Sequence, residues 1–214
     1  MKALTVTDTE LRIFARHVPV RCHQVALDAG CGSGNFSRQL HRFGYDVIAL
    51  DFAHSALEAA RRTPLPGVTY LHHDLDQGDP PGLQYRGIDL VVCRLVLPLL
   101  RDPVRWVRRV RDRWLRPGGR MYLVIPVGEH ADQFGRMTEQ QISALCDGWA
   151  KSVRYDLRST SACLVLRAPR PRWRAGRAKL RHPERLTAGS PMTTRRTSSP
   201  PVPRGARPAM PVGP

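Results

Sequence analysis

The chain has 214 residues, 42% of them apolar, which is enough for one ordinary domain with a buried core. Its formal charge of +16 would point to a polyanion partner if it were spread evenly, but residues 169–214 alone carry +10: 11 of the 34 Lys and Arg and a single acid, Glu184. The remaining 168 residues hold only +6, so the globular part is no obvious polyanion binder, and the five cysteines are scattered with no pair at metal-ligand spacing such as C-x-x-C.

No apolar run reaches the ~18 residues that a membrane helix requires, and an odd number of scattered cysteines suits reduced thiols, so the expected location is cytoplasmic with no membrane partner. Ten of the 19 prolines fall in residues 169–214, where arginines repel and apolar residues are few. That segment is expected to be a disordered basic tail. The expected organisation is an N-terminal helix acting as a partial lid over 1–23, one domain over 24–168 and the tail over 169–214.

In chain order, "TDTELRIFARHV" sets Thr7 and Glu10 at capping-box spacing ahead of Leu11, Phe14 and Ala15, which predicts a short helix. "QVALDA" predicts a strand, "NFSRQLHRFG" a helix ending at Gly44, "DVIALD" a strand and "AHSALEAARR" a helix. "VTYLHHD" follows as a third strand, and "IDLVVCRLVL" as a fourth whose continuous apolar character suits burial on both faces. "DPVRWVRRVRDRWL" predicts a helix with Asp102 as N-cap and Pro103 in the first turn, stopped by "RPGG". "RMYLVIP" is the fifth strand, "TEQQISALCDGW" a helix capped by Thr138, and "KSVRYDLRS" and "SACLVLRA" are two final strands. This alternation predicts an α/β fold: a doubly wound, mostly parallel seven-stranded sheet with helices on both faces and the last strand antiparallel.

The stretch "VALDAGCGSGNF" carries Gly30, Gly32 and Gly34 at the first strand-to-helix turn, where ligands of open α/β sheets sit. Glycine tolerates positive φ and lets the backbone approach a ligand closely. The register is G-x-G-x-G, with Asn35 where a dinucleotide fingerprint would need its last glycine. Asp28 precedes the turn, and a carboxylate there repels a pyrophosphate but attracts a cation. The implied ligand is positively charged or zwitterionic.

"LDAGCGSG" resembles motif I of the class I S-adenosylmethionine-dependent methyltransferases, written D/E-x-G-x-G-x-G. Further matches follow in the family's order, and "LRPGG" resembles the turn before its fifth strand. The resemblance implies a Rossmann-like methyltransferase fold and S-adenosyl-L-methionine as cofactor. It assigns Asp51 to both ribose hydroxyls, Phe52 to a place beside the adenine, Asp74 to the adenine amino group with the Leu75 backbone nearby, and Cys93 and Arg94 to the edge of the cofactor site. Each acid also has a plainer reading: Asp28 as a loop cap, Asp51 as the cap of the helix near His54, Asp74 as a turn residue. Cys31 suits a small buried filler better than a nucleophile.

Methyl transfer from a sulfonium is an in-line displacement, so acid–base machinery is not obligatory. His130, after the fifth strand, is the candidate general base, against the reading of a surface histidine. "CRLVLPLL" lacks the N-P-P-Y/F pattern of planar-nitrogen methylation, so the expected acceptor is an O, N or C nucleophile of a small-molecule metabolite. Two alternatives stay open: a cofactor-binding protein without turnover, and a nucleic-acid methyltransferase aided by the tail, the less favoured of the two.

Overall fold

The structure is a computed structural model, and it describes residues 6–21, 23–129, 135–157 and 160–170. Seven strands form one sheet in the order β3-β2-β1-β4-β5-β7-β6. They are β1 Gln24–Ala29, β2 Tyr45–Asp51, β3 Val68–His72, β4 Ile88–Arg94, β5 Leu115–Pro126, β6 Lys151–Asp156 and β7 Ser161–Arg167. β1 pairs in parallel with both β2 and β4, so the chain reverses its winding direction between β1 and β4. Such a reversal opens a crevice at the strands' C-terminal ends. β7 is antiparallel to both of its neighbours and lies between β5 and β6.

Helices α1 Asp8–His17, α2 Asn35–Arg42, α3 His54–Arg61, α4 Pro103–Arg109 and α5 Glu139–Leu145 complete the described fold. α4 forms where it was expected, with Asp102 accepting from the Arg105 amide at 2.9 Å, and it runs on through a π turn over Val110–Trp114. The "LRPGG" segment is an irregular start to β5. Pairing with β4 jumps from Ile88↔Leu115 to Leu90↔Arg120, so Arg116–Gly119 bulge out of the ladder.

The apolar strands bury side chains on both faces, giving one core around Trp106, Trp114 and Leu123 and another around Phe14, Phe36 and Tyr122. Phe14 of α1 meets Phe36 and Tyr122 edge-on, with ring centroids 5.6 and 5.1 Å away. α1 is therefore built into the second core. Its cap differs from the expected box in one respect: Thr7 accepts from the Glu10 amide at 3.2 Å, but the Glu10 side chain does not return to the cap. It goes instead to Arg94, a stronger partner than a backbone amide. The reciprocal box does form at α5, between Thr138 and Gln141. Among the described residues, no helix is long and apolar enough to cross a membrane.

Candidate functional site

The turn after β1 is strapped to the end of β2. The Leu50 carbonyl accepts from the Gly30 amide at 2.8 Å and from Cys31 at 2.9 Å. Asp51 adds a second strap, since its Oδ2 accepts from the Gly32 amide at 2.7 Å and its Oδ1 from the Ala53 amide at 2.9 Å. One carboxylate thus holds the glycine turn and the entry to α3 together, and each of its oxygens keeps a further lone pair.

The three glycines have φ of +76°, +55° and +75°, in the left-handed region. Two of them are also demanded by packing. A Cβ on Gly30 would stand 2.3 Å from Val96 Cγ2, and one on Gly34 2.5 Å from the Tyr70 hydroxyl. At Gly32 a Cβ would meet nothing within 4 Å. The middle of the turn is therefore open space above the backbone.

Asp28, at the end of β1, is buried, and its Oδ2 accepts from Ser37 Oγ of α2 at 2.6 Å. Burial pushes its carboxyl up to about 6, with the Asp51 charge adding and the Ser37 hydroxyl and Arg94 opposing. At neutral pH it is therefore mostly ionised, in a low-dielectric pocket. Arg94 ends β4 and makes a bidentate pair with Glu10 of α1, at 2.6 and 2.9 Å, with side chains only 12% and 6% exposed. Its guanidinium also lies over the Phe36 ring, 4.9 Å from the centroid. The next residue, Leu95, takes φ +64°, a strained value for a branched side chain, and its amide bonds Val124 O at 2.8 Å. The chain is held in this bend as it leaves β4 beside the crevice.

Cys93 is buried, and burial pushes its thiol up to about 12. Cys31 is buried too and its thiol is likewise raised, again chiefly by burial. Neither presents a thiolate, as the filler reading of Cys31 expects.

On the other side of the turn, Phe52 is 70% exposed, an apolar ring at the tip of β2. His72 places its Nε2 2.9 Å from the Phe52 carbonyl and stacks on His54 at 4.0 Å between centroids. The His73 amide donates to Asp51 O at 2.9 Å, bringing the end of β3 alongside the end of β2. Asp74 follows and caps the turn over Leu75–Gln77, accepting from the Asp76 amide at 3.0 Å and from Gln77 Nε2 at 3.2 Å. Leu75 is buried and borders a cleft of about 220 Å³ lined also by Asp76, Arg101, Arg105 and Trp106.

The structure thus brings Asp28, Gly30, Gly32, Gly34, Asp51, Phe52, Asp74, Leu75 and Cys93 to adjacent strand ends. His130 lies outside the described residues. Ser37, Glu10, Val96 and Tyr70 also shape the site, although nothing in the glycine motif announces them. Ser37, on the helix that follows the turn, was the one a sequence reading had the means to find. Among the described residues, no group of three or more His, Cys, Asp or Glu side chains is arranged to hold a metal ion.

Comparison with known proteins points the same way. The family description "Methyltransferase domain" matches residues 27–123. Ubiquinone biosynthesis O-methyltransferase of Xanthomonas oryzae pv. oryzae is 31% identical over 98 residues, which are 45% of this chain and 41% of that protein. The chain spans about two fifths of the length of the curated relatives it matches. Among solved structures, an S-adenosylmethionine dependent methyltransferase from Mesorhizobium loti superposes with a TM-score of 0.60 at 22% identity, over 74% of this chain and 97% of that one. Phosphoethanolamine N-methyltransferase 2 of Haemonchus contortus, in complex with phosphomonomethylethanolamine and S-adenosylhomocysteine, superposes with a TM-score of 0.65 at 16% identity, over 76% and 53%. The motif, the strand order and the matched segment converge: residues 27–123 match a methyltransferase domain, and the chain has the fold of solved S-adenosylmethionine-dependent methyltransferases.

Proposed function

We propose that the chain transfers a methyl group from S-adenosyl-L-methionine to a small-molecule acceptor. The observation that carries this reading is the turn locked open by Asp51, with an unfilled floor at Gly32 between two glycines that packing demands. The bound cofactor supplies an electrophilic methyl group on a sulfonium. The chain's residues hold and orient it. Asp51 offers its remaining lone pairs to the ribose hydroxyls, Phe52 its exposed ring to the adenine face, and Asp74 with the Leu75 backbone the polar edge of that base. Asp28, ionised and buried, sets a negative potential that suits a cationic ligand.

The acceptor side is argued from chemistry. Glu10 is occupied by Arg94, and Asp28 by Ser37, so neither carboxylate is free to serve as base. Alignment of the acceptor atom and exclusion of water then carry the rate, with His130 as the proposed base for an acceptor that must lose a proton. A hydroxyl of a small aromatic or quinol-like metabolite is the preferred acceptor, in keeping with the name of the Xanthomonas relatives. Cytoplasmic location belongs to the same reading, since Cys31, Cys93, Cys146 and Cys163 are free thiols.

The test is incubation of the full chain with methyl-labelled cofactor and a panel of catechols, quinols, amines and oligonucleotides, with calorimetry of cofactor binding alongside. Label in a phenolic product supports the reading. Cofactor binding with no label in any acceptor would favour the binding protein without turnover, and label in oligonucleotide alone would transfer the activity to nucleic acid.

A further inference from the structure

The far end of the sheet carries a second cleft of about 370 Å³, lined by the start of β1, the bulge before β5 and the end of the antiparallel β7. Five arginines face it, Arg21, Arg116, Arg120, Arg167 and Arg170, against one acid, Asp89. Asp89 is already committed. It accepts from the Val25 amide at 2.9 Å and Gln24 Nε2 at 3.2 Å, and pairs with Arg116 at 3.0 Å. Arg21, Arg120, Arg167 and Arg170 have no carboxylate partner among the described residues.

Two of these charges are directly opposed. Arg120 and Arg167 are register partners across β5 and β7, and Arg167 is in turn the partner of Lys151 on β6. Paired residues of neighbouring strands point to the same face, so three cations form a row across three strands at a spacing of about 4.8 Å. Like charges facing each other in a ladder destabilise it. Arg120 and Arg167 are also partly buried, which deprives their repulsion of full solvent screening. Desolvation first, then the charges of Arg167, Arg21 and Arg170, hold Arg120 below its ordinary value, against a smaller opposing effect of Tyr45.

We propose that this cleft is an anion site for a ligand carrying two or more linked phosphate groups, separate from the cofactor turn. Guanidinium forks match phosphate oxygens in pairs, and a row of cations at strand spacing fits successive phosphates better than one carboxylate. The site lies at the N-terminal end of β1, and the glycine turn at its C-terminal end, roughly 17 Å away along the strand. A ligand held here is therefore not the methyl acceptor; it is a tether or an effector. Such phosphates come from free polyphosphates or from a nucleic-acid backbone. In sequence, Arg170 is followed by Arg172, Arg174, Arg177 and Lys179.

The experiment uses the full chain and titrates pyrophosphate and a uridine 12-mer by calorimetry at two salt concentrations. R120Q/R167Q is expected to weaken pyrophosphate binding at least tenfold and to leave S-adenosylhomocysteine binding unchanged. Without ligand, that variant is expected to melt about 2 °C or more above the wild type because the opposed charges are gone. Pyrophosphate should raise the Tm of the wild type only. The more conservative R167Q gives the same readout if the double variant does not fold. Loss of 12-mer binding in parallel identifies nucleic acid as a source of the phosphates; loss of pyrophosphate binding alone identifies free polyphosphate. The proposal is overturned if neither probe binds, if R120Q/R167Q binds both as tightly as the wild type, or if R172Q/R174Q/R177Q removes the binding instead.

Discussion

On the proposed function, Asp28 is expected to make cofactor affinity and stability depend on pH in opposite senses. Its folded pKa, about 6, stands above the ordinary 3.8 because burial disfavours the charge. The native state therefore holds this proton more tightly than the unfolded chain does. The group's contribution to stability is largest below pH 4, declines as pH rises from about 4 to 6, and is flat above. A shift of two units corresponds to roughly 2 to 3 kcal/mol. Asp28→Asn, which keeps an acceptor for Ser37, is expected to be more stable than the wild type by about 1 to 2 kcal/mol at pH 8, with the gain gone near pH 4. Urea denaturation across that range measures it. Affinity runs the other way. If the ionised carboxylate favours a cationic ligand, the wild type binds S-adenosylmethionine about tenfold more weakly at pH 5, where roughly nine in ten of the carboxyls are protonated, than at pH 7.5, where nearly all are charged. Asp28→Asn is expected to bind weakly and with no such step. A wild-type affinity that stays flat from pH 7.5 to 5, or a variant that keeps the same step, would refute the electrostatic role.

The glycines separate packing from ligand contact. Gly30→Ala is expected to cost about 2 kcal/mol or more, because the new methyl collides with Val96 at a positive φ, whereas Gly32→Ala costs only about 1 kcal/mol of left-handed strain and shows its damage in cofactor affinity. Parallel denaturation and calorimetry of the two variants distinguish the cases, and a Gly32→Ala protein with normal affinity would remove the turn's floor from the site. Phe52→Ala, at an exposed position, is expected to change stability by less than about 0.5 kcal/mol while weakening cofactor binding by about 1 to 3 kcal/mol through lost base stacking. Unchanged binding would place the adenine elsewhere. Glu10→Ala strands a buried guanidinium and is expected to cost about 3 to 5 kcal/mol; a cost below about 1 kcal/mol would show that Arg94 finds water or another partner.

Most of the architecture could be read in advance because local signals agreed with global ones. Apolar runs bounded by caps such as Asp102 and Thr138 became the strands and helices they announced. The glycine spacing and Asp51 located the turn, since positive φ and a strand-end acid are properties of short segments. Contacts distant in sequence were not legible in the same way. Glu10 carried the signature of a reciprocal cap, yet its partner is 84 positions away, and nothing around Arg94 advertises that pairing. Val96 and Tyr70 reach Gly30 and Gly34 only because the sheet order places β4 and β3 around the turn. The row of Arg120, Arg167 and Lys151 is likewise a property of register, and a count of charges could not reveal it.

The seating of α1 bears on how an acceptor enters. Lifting this helix would expose Phe14, at about 1.5 to 3 kcal/mol, and separate Glu10 from Arg94. Such an opened form would be a minor one, populated in roughly one molecule in ten or fewer. A keystone makes a poor door. On the proposed function, an acceptor is expected to enter along the rim where β4 and β5 end, with the first helix left in place.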